Sequence, residues 1–116
     1  MRVSLDPSIR EQAIEAGWRA YESQVPGMEA AYRRVCESWQ VVGVKSGDEC
    51  IGALFAKDGV IHLGIVPEHR NKWASRRIIR EMLAYGDRTT IMQGQDETFI
   101  RRIGFKQSGG EFRIGG

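Results

Sequence analysis

The segment IHLGIVPEHRNKWASRRIIREMLA, residues 61–84, decides the fold. It opens with apolar and β-branched residues and reaches Pro67, which cannot donate to a strand ladder, so a strand is predicted over residues 60–66. A short polar connection follows at residues 68–72. Apolar residues then recur at helical spacing: Ala74, Ile78, Ile79, Met82 and Leu83. A buried strand is therefore predicted to run through a polar loop directly into an amphipathic helix.

The loop and the helix start are strongly basic. Residues 70–80 contain five cations and no carboxylate: Arg70, Lys72, Arg76, Arg77 and Arg80. The first turn of a helix presents amides that have no internal partner, and the helix dipole adds partial positive charge there. Phosphate or pyrophosphate is the ligand that best suits this pattern. A solvated basic face that binds nothing is the alternative.

Two amphipathic helical patterns precede this segment and are separated by Pro26-Gly27. The first has apolar residues at Ile9, Ala13, Ile14, Gly17, Trp18 and Tyr21, and Asp6-Pro7-Ser8 supplies N-cap candidates. The second has them at Met28, Ala31, Tyr32, Val35, Cys36 and Trp39. Both apolar stripes are predicted to pack in the core, because aromatic and aliphatic residues at this spacing are usually buried.

Three strands joined by tight turns are predicted over residues 41–44, 50–56 and 60–66, with Asp58-Gly59 as the hairpin signal between the last two. Beyond the basic helix, residues 89–92 are predicted to form a strand parallel to the one before that helix. A short helix over residues 96–103 and a hairpin over residues 105–107 and 112–114 complete the pattern. The predicted class is mixed α/β, in a single domain over residues 1–116.

Composition limits the functional classes. The chain has 116 residues and 41% hydrophobic content, which predicts one globular domain. Its net charge of +2 is too small to favour nucleic acid as a partner. Two cysteines without ligand spacing provide neither a disulfide framework nor a metal site, so a reduced, cytoplasmic location is expected. No apolar run approaches the roughly 20 residues of a membrane span, and no membrane association is expected.

Residues 65–75, IVPEHRNKWAS, resemble the central motif of the GNAT superfamily of acetyl-CoA-dependent N-acetyltransferases. In that family a strand leads through Val-x-Pro-x-x-Arg into a glycine-rich helix start. Residues 99–105, FIRRIGF, resemble its late helix, which typically ends in Gly-Phe. The resemblance covers almost the whole chain. It implies a GNAT-like fold with two N-terminal helices, a central mixed sheet, a cofactor-loop helix and a short late helix, with a first strand reduced to residues 1–5 or absent.

The resemblance also implies acetyl-CoA as cofactor, an amine on a small molecule or protein as acceptor, and a homodimer as a further partner. Pantetheine would pair with the backbone of Ile65 and Val66. The phosphates would lie among Arg70, Asn71, Lys72, Trp73, Ala74, Ser75 and Arg76. His62 is the candidate base, because a histidine titrates near neutral pH, and Glu68 at the strand exit is a second catalytic candidate. A packed histidine and an ordinary exposed loop glutamate are the alternatives.

Several positions differ from the family pattern. In the loop, Asn71 and Trp73 replace glycines and Ser75 replaces a glycine or alanine. In the late segment, Ile100 replaces a frequent tyrosine and Gln93 falls near a frequent asparagine. Trp73 could pack sideways and leave the loop amides open, or it could fill the cofactor groove. The altered loop resembles small phage-encoded GNAT-like proteins. This implies an alternative role as a catalytically degenerate head-assembly or interaction module that binds phage structural proteins in the host cytoplasm. A second alternative is nucleic-acid binding through the arginine-rich helix, with Trp73 stacking on bases.

Overall fold

The computed structural model describes residues 3–22, 27–69, 73, 75–89, 105–108 and 111–113. These residues form three helices: α1 (Arg10–Glu22), α2 (Glu29–Cys36) and α3 (Arg76–Met82). They also form seven strands: β1 (Val3–Asp6), β2 (Gln40–Ser46), β3 (Glu49–Lys57), β4 (Val60–Ile65), β5 (Arg88–Thr89), β6 (Lys106–Ser108) and β7 (Glu111–Arg113). The predicted mixed α/β class is confirmed.

All seven strands belong to one sheet, in the order β1-β2-β3-β4-β5-β7-β6. Strands β1 to β4 form an antiparallel meander, while β5 runs parallel to β4 across the α3 connection. The predicted meander, the parallel strand and the C-terminal hairpin of β6 and β7 are therefore confirmed. The short first strand that the resemblance allowed is present as β1, which pairs with β2.

The β3–β4 turn shows why the sequence folds into a tight hairpin here. Asp58 and Gly59 have φ angles of 52° and 83°, which is the left-handed pair that a two-residue type I′ turn requires. The carbonyl of Gly59 accepts hydrogen bonds from the amides of Asp87 and Arg88, at 3.1 and 3.2 Å. A side chain at Gly86 would bring its Cβ within 2.6 Å of the same carbonyl oxygen. These contacts of Gly59 therefore hold the start of β5 next to the start of β4.

Each face of the sheet carries a separate core. Helices α1 and α2 cover one face, where the buried cluster is Ala13, Ile14, Cys36, Val41, Ala53 and Phe55. Helix α3 covers the other face with Ile78 and Met82 among buried strand residues such as Val42, Leu54, Ile61 and Ile65. The stripe predicted for α1 is confirmed at Ala13, Ile14, Gly17 and Trp18, all of which are buried.

The stripe predicted for α2 is only half correct. Cys36 is buried and Tyr32 is half-buried, but the side chains of Met28 and Val35 are 50% and 57% exposed and Ala31 is exposed as well. The helix has eight residues and touches the fold along the line of Tyr32 and Cys36, so the flank of its stripe faces outward. Core packing was therefore the wrong prediction for Met28, Ala31 and Val35.

The predicted late helix over residues 96–103, Ile100 within it, and the predicted strand residues beyond Thr89 lie outside the described residues. Within the described part of the chain, no helix combines the length and the apolar character that crossing a bilayer requires.

Candidate functional site

The edge of β4 that faces β5 is the first feature of the site. The amide of Val66 donates to the carbonyl of Ile51 at 2.9 Å, so alternate peptide groups along β4 point toward β3. The peptide groups of Leu63 and Ile65 therefore point to the opposite side, where β5 runs. Among the described residues, the β4–β5 pairing is registered at Val60 with Arg88, near the start of β4. An extended ligand with amide groups can pair with a strand edge of this kind.

Val66 does not have the backbone role that the resemblance gave it. Its N–H is used in the bond to Ile51, and its carbonyl accepts the amide of His69 at 3.0 Å in the 3₁₀ turn Pro67–His69. The pantetheine prediction for Val66 is therefore wrong. The register explains the error: the motif places the cofactor along this stretch of chain, but only the pairing with β3 decides which peptide groups face outward. Ile65 and Leu63 have the required direction.

The helix after the loop begins later than predicted. Ser75 is its N-cap, with extended backbone, and its Oγ accepts the amide of Ile78 at 3.2 Å. The amide of Ile79 donates to the carbonyl of Ser75 at 3.1 Å. Since α3 starts at Arg76, the hydroxyl of Ser75 uses one of the first-turn amides that a phosphate would otherwise bind. The backbone amides of Arg76 and Arg77 come before the first amide that donates to a carbonyl within the helix, which is that of Ile79.

Trp73 is in the core on the α3 side of the sheet. Its side chain is 2% exposed and belongs to the same buried cluster as Val66, Ile78 and Met82. A ring buried to this extent cannot stack on nucleic-acid bases, so the stacking role predicted for Trp73 is wrong. The physical reason is the large apolar area of an indole, whose burial next to an amphipathic helix stabilises the fold.

The cations predicted around the phosphates separate into two groups. Arg76 and Arg80 are exposed, one helical turn apart. Arg77 instead donates to the carbonyl of Val3, and its Nη1 lies 3.6 Å from Oε2 of Glu81, so it ties α3 to β1. Arg70, Asn71, Lys72 and Ala74 lie outside the described residues.

His62 lies on the sheet face covered by α1 and α2, opposite Phe55 in the β3–β4 register. Its imidazole packs against the indole of Trp39, with ring centroids 5.5 Å apart and planes at 49°. Its Nδ1 is buried and has no hydrogen-bond partner among the described residues. Burial lowers the pKa of His62, which keeps the imidazole neutral at neutral pH. A neutral imidazole is the form that accepts a proton.

Glu68 is exposed on the 3₁₀ turn beyond the end of β4. Strand geometry puts about 10 Å between the Cα atoms of His62 and Ile65, and Glu68 lies three residues further along the chain. The structure therefore does not bring the two predicted catalytic residues into one hydrogen-bonded group.

Trp39 is the residue of this region whose role the sequence did not indicate. It was predicted only as part of the α2 stripe. The pairing of Gln40 with Ala56 places it across from the end of β3, where Nζ of Lys57 lies 5.9 Å from its ring centroid. The register of β2 and β3 was the missing information.

Because His62 has a lowered pKa in the folded protein, we expect acid to destabilise the fold through it. The unfolded chain binds a proton at the ordinary histidine pKa near 6.5, while the folded chain binds it only at lower pH, so stability is lost as pH falls below about 6.5. Urea unfolding at pH 7.5 and 5.5 should show a smaller loss in the His62→Gln variant than in the wild type. The matched His69→Gln variant should keep the larger loss. An equal loss in wild type and His62→Gln would contradict the prediction.

No family model matches the sequence, and no curated protein matches it. Solved structures do match. The PaiA N-acetyltransferase of Thermoplasma acidophilum, crystallised in complex with coenzyme A, superimposes with a TM-score of 0.65 at 15% identity, over 97% of this chain and 96% of that one. The apo form of YjaB from Escherichia coli gives 0.65 at 15% identity, over 94% and 86%. A putative GNAT-family acetyltransferase from Desulfovibrio desulfuricans gives 0.56 at 13% identity, over 97% and 95%.

These likenesses extend over nearly the full length of both chains in each pair, while the sequence identity is low. They agree with the independent features of the fold: two helices on one face, an antiparallel meander, and a parallel strand entered through α3. The chain therefore has the fold of the GNAT acetyltransferases.

Proposed function

We propose that this protein is a GNAT-type N-acetyltransferase that transfers an acetyl group from acetyl-CoA to an amine. The observation that supports this most directly is the direction of the Leu63 peptide groups on β4, which point to the β5 side. A neighbour with the same fold was crystallised with coenzyme A. Two amide groups spaced along an extended pantetheine chain match the spacing of alternate peptide groups along a strand.

The proposal assigns the cofactor contacts to residues of β4 and of the start of α3. The backbone of Leu63 and Ile65 would hold pantetheine, and Arg76, exposed at the start of α3, would face the phosphates. Arg70, Asn71, Lys72, Trp73 and Ala74 form the rest of the proposed loop, with Ser75 contributing mainly as the N-cap. When bound, acetyl-CoA supplies an activated acyl thioester.

His62 would serve as the proton acceptor for the incoming amine. An ammonium group has no lone pair, so the acceptor must lose a proton before its nitrogen can attack the thioester carbonyl. The neutral imidazole of His62 would take this proton from the ammonium and so leave the nitrogen lone pair free for attack. Glu68 lies too far along the chain to share this step and would contribute only at the outer edge of the site.

We expect acetyl-CoA to raise the thermal unfolding midpoint, because a ligand that binds only the folded state stabilises it by about 2.7 kcal/mol at 100 times its Kd. Arg76→Ala should shift the CoA titration to higher concentration. Arg80→Ala is the matched control, because it removes the same exposed charge one turn further from the helix start, where the dipole contributes less. Absence of any shift at millimolar CoA, or equal effects of the two variants, would contradict the phosphate assignment.

Acetyl transfer itself is measured by release of free thiol from acetyl-CoA with polyamines, peptides and aminoglycosides as acceptors. Thiol release that depends on acceptor and on His62 supports the enzyme. CoA binding without transfer would instead favour the second candidate, a catalytically degenerate GNAT-fold interaction module such as the phage-type role. The buried Trp73 and the capping Ser75 at glycine positions of the motif are the observations that favour it.

A further inference from the structure

We propose that Trp39 is the positioning residue of the acceptor site: its indole fixes the imidazole of His62 and keeps water away from it. The proposal rests on the proposed function, since it gives His62 the role of proton acceptor. Trp39 would act through His62 and would not itself touch the reacting atoms.

The first observation is the contact between the two rings. Their centroids are 5.5 Å apart and their planes are tilted by 49°, so the two rings pack against each other. Trp39 comes from the segment between α2 and β2, while His62 is in the middle of β4. The contact therefore joins two parts of the chain that strand pairing alone does not connect, because β3 lies between β2 and β4.

The second observation is that the imidazole is held without hydrogen bonds at Nδ1. This atom is buried and has no hydrogen-bond partner among the described residues. A catalytic histidine is ordinarily oriented by a hydrogen bond to one ring nitrogen. Here packing replaces that bond: the indole lies against the imidazole, and Phe55 is the cross-strand neighbour of His62 on β3.

The third observation is that Trp39 is itself held in place. Nζ of Lys57 lies 5.9 Å from its ring centroid, and Arg10 donates to the carbonyl of Trp39 at 3.2 Å and to that of Cys36 at 2.5 Å. Trp39 is only partly buried, so its indole contacts both solvent and the imidazole of His62. Arg10 thus fixes the backbone that carries the indole, and Lys57 contacts the ring itself, so the indole is held beside His62.

The charged and titratable groups on the surrounding elements have partners of their own and are not the cause of the lowered pKa of His62. On β3, Lys57 lies over the indole, and on β5, Arg88 donates to the carbonyl of Asp58 and lies 3.7 Å from the Asp87 carboxylate. On α2, the hydroxyl of Tyr32 donates to the carbonyl of Ile14, and Cys36 is buried. Helix α1 approaches β4 with Ala20 and the carbonyl of Gly17, next to Gly64. Burial is the cause that lowers the pKa of His62.

The test is an NMR titration of the histidine ring protons in the full chain without CoA. The chain contains only two histidines, so His69 serves as the internal reference in every spectrum. In Trp39→Ala, the midpoint of His62 should rise toward that of an exposed histidine while the midpoint of His69 stays unchanged. Trp39→Phe keeps an aromatic ring and should retain most of the wild-type midpoint. Where the alanine variant does not hold its fold, Trp39→Gln has similar length, carries a polar group to the imidazole, and should raise the midpoint likewise.

An unchanged His62 midpoint in a folded Trp39→Ala or Trp39→Gln variant would overturn the proposal, as would an equal movement of His69. A second measurement, the rate of acetyl transfer as a function of pH, tests whether this change at His62 affects catalysis. The acid limb of this pH profile should move to higher pH in Trp39→Ala by the same amount as the NMR midpoint. A limb that stays in place while the NMR midpoint moves would overturn the role of His62 as proton acceptor, whereas CoA binding measured by thermal shift tests the proposed function independently.

Discussion

Replacement of Trp73 by alanine is expected to lower the free energy of unfolding by about 3–5 kcal/mol, the usual cost of removing a large aromatic side chain from a packed core. The indole is 2% exposed and belongs to the cluster that holds α3 against the sheet. Because total stability for a domain of this size is about 5–15 kcal/mol, the variant should be close to the limit of folding. Urea unfolding followed by circular dichroism measures the loss.

Leu83→Ala is the control for this experiment. Leu83 follows α3 directly as its C-cap and is 36% exposed, so its loss should cost well under half as much. Trp73→Phe, which keeps most of the apolar volume, should fall between wild type and Trp73→Ala. A Trp73→Ala protein as stable as the Leu83→Ala protein would show that the indole does not contribute to the core.

The second large effect is expected at Gly52. A Cβ added there would lie 2.3 Å from the carbonyl oxygen of Gly64 and 3.1 Å from the Cα of Ile65, which are backbone atoms of β4. Gly52→Ala therefore forces β3 and β4 apart, and we expect it to lower the free energy of unfolding by about 1–3 kcal/mol. It should also weaken CoA binding, because Ile65 is on the strand edge proposed to hold pantetheine.

Gly64→Ala provides the matched comparison on the neighbouring strand. A Cβ at Gly64 would meet the Cβ of Ala20 at 3.4 Å, an ordinary contact distance. Replacing glycine also reduces the freedom of the unfolded chain, so this variant should be neutral or slightly stabilised. Thermal unfolding of the two variants under the same conditions tests this prediction. Equal destabilisation of both would contradict the steric clash predicted for a side chain at Gly52.

The strands were predictable because their signals are local. The Asp58-Gly59 turn, the alternation around it and the stop at Pro67 depend on neighbours in sequence, and all three are in the structure. The exposed side of α2 was not predictable, because the apolar spacing of Met28, Ala31 and Val35 shows that they share a side but not how much of that side the sheet covers. In a helix as short as α2, the apolar spacing does not determine how far that side is buried.

The candidate site was predictable in position and not in detail. The motif located the loop and α3, but the direction of the Val66 amide depends on pairing with Ile51, fifteen residues earlier. The inward position of Trp73 depends on a core formed by strands distant in sequence. Trp39 shows the same limitation, since its contact with His62 exists only after β3 has paired with both β2 and β4. Local patterns indicate where such a site lies, while tertiary pairing decides which atoms it presents.

The two thiols differ in a way that makes them useful reporters. Cys36 is 2% exposed between α1, α2 and the sheet, and Cys50 is half-buried on β3, with burial raising the pKa of both. Alkylation requires the thiolate and physical access to sulfur. Iodoacetamide at neutral pH should therefore modify Cys50 slowly and reach Cys36 only during transient opening of the helical layer. The rate of modification at Cys36, relative to that of an exposed thiol, then gives the fraction of molecules in which that layer is open, without denaturant or an engineered label.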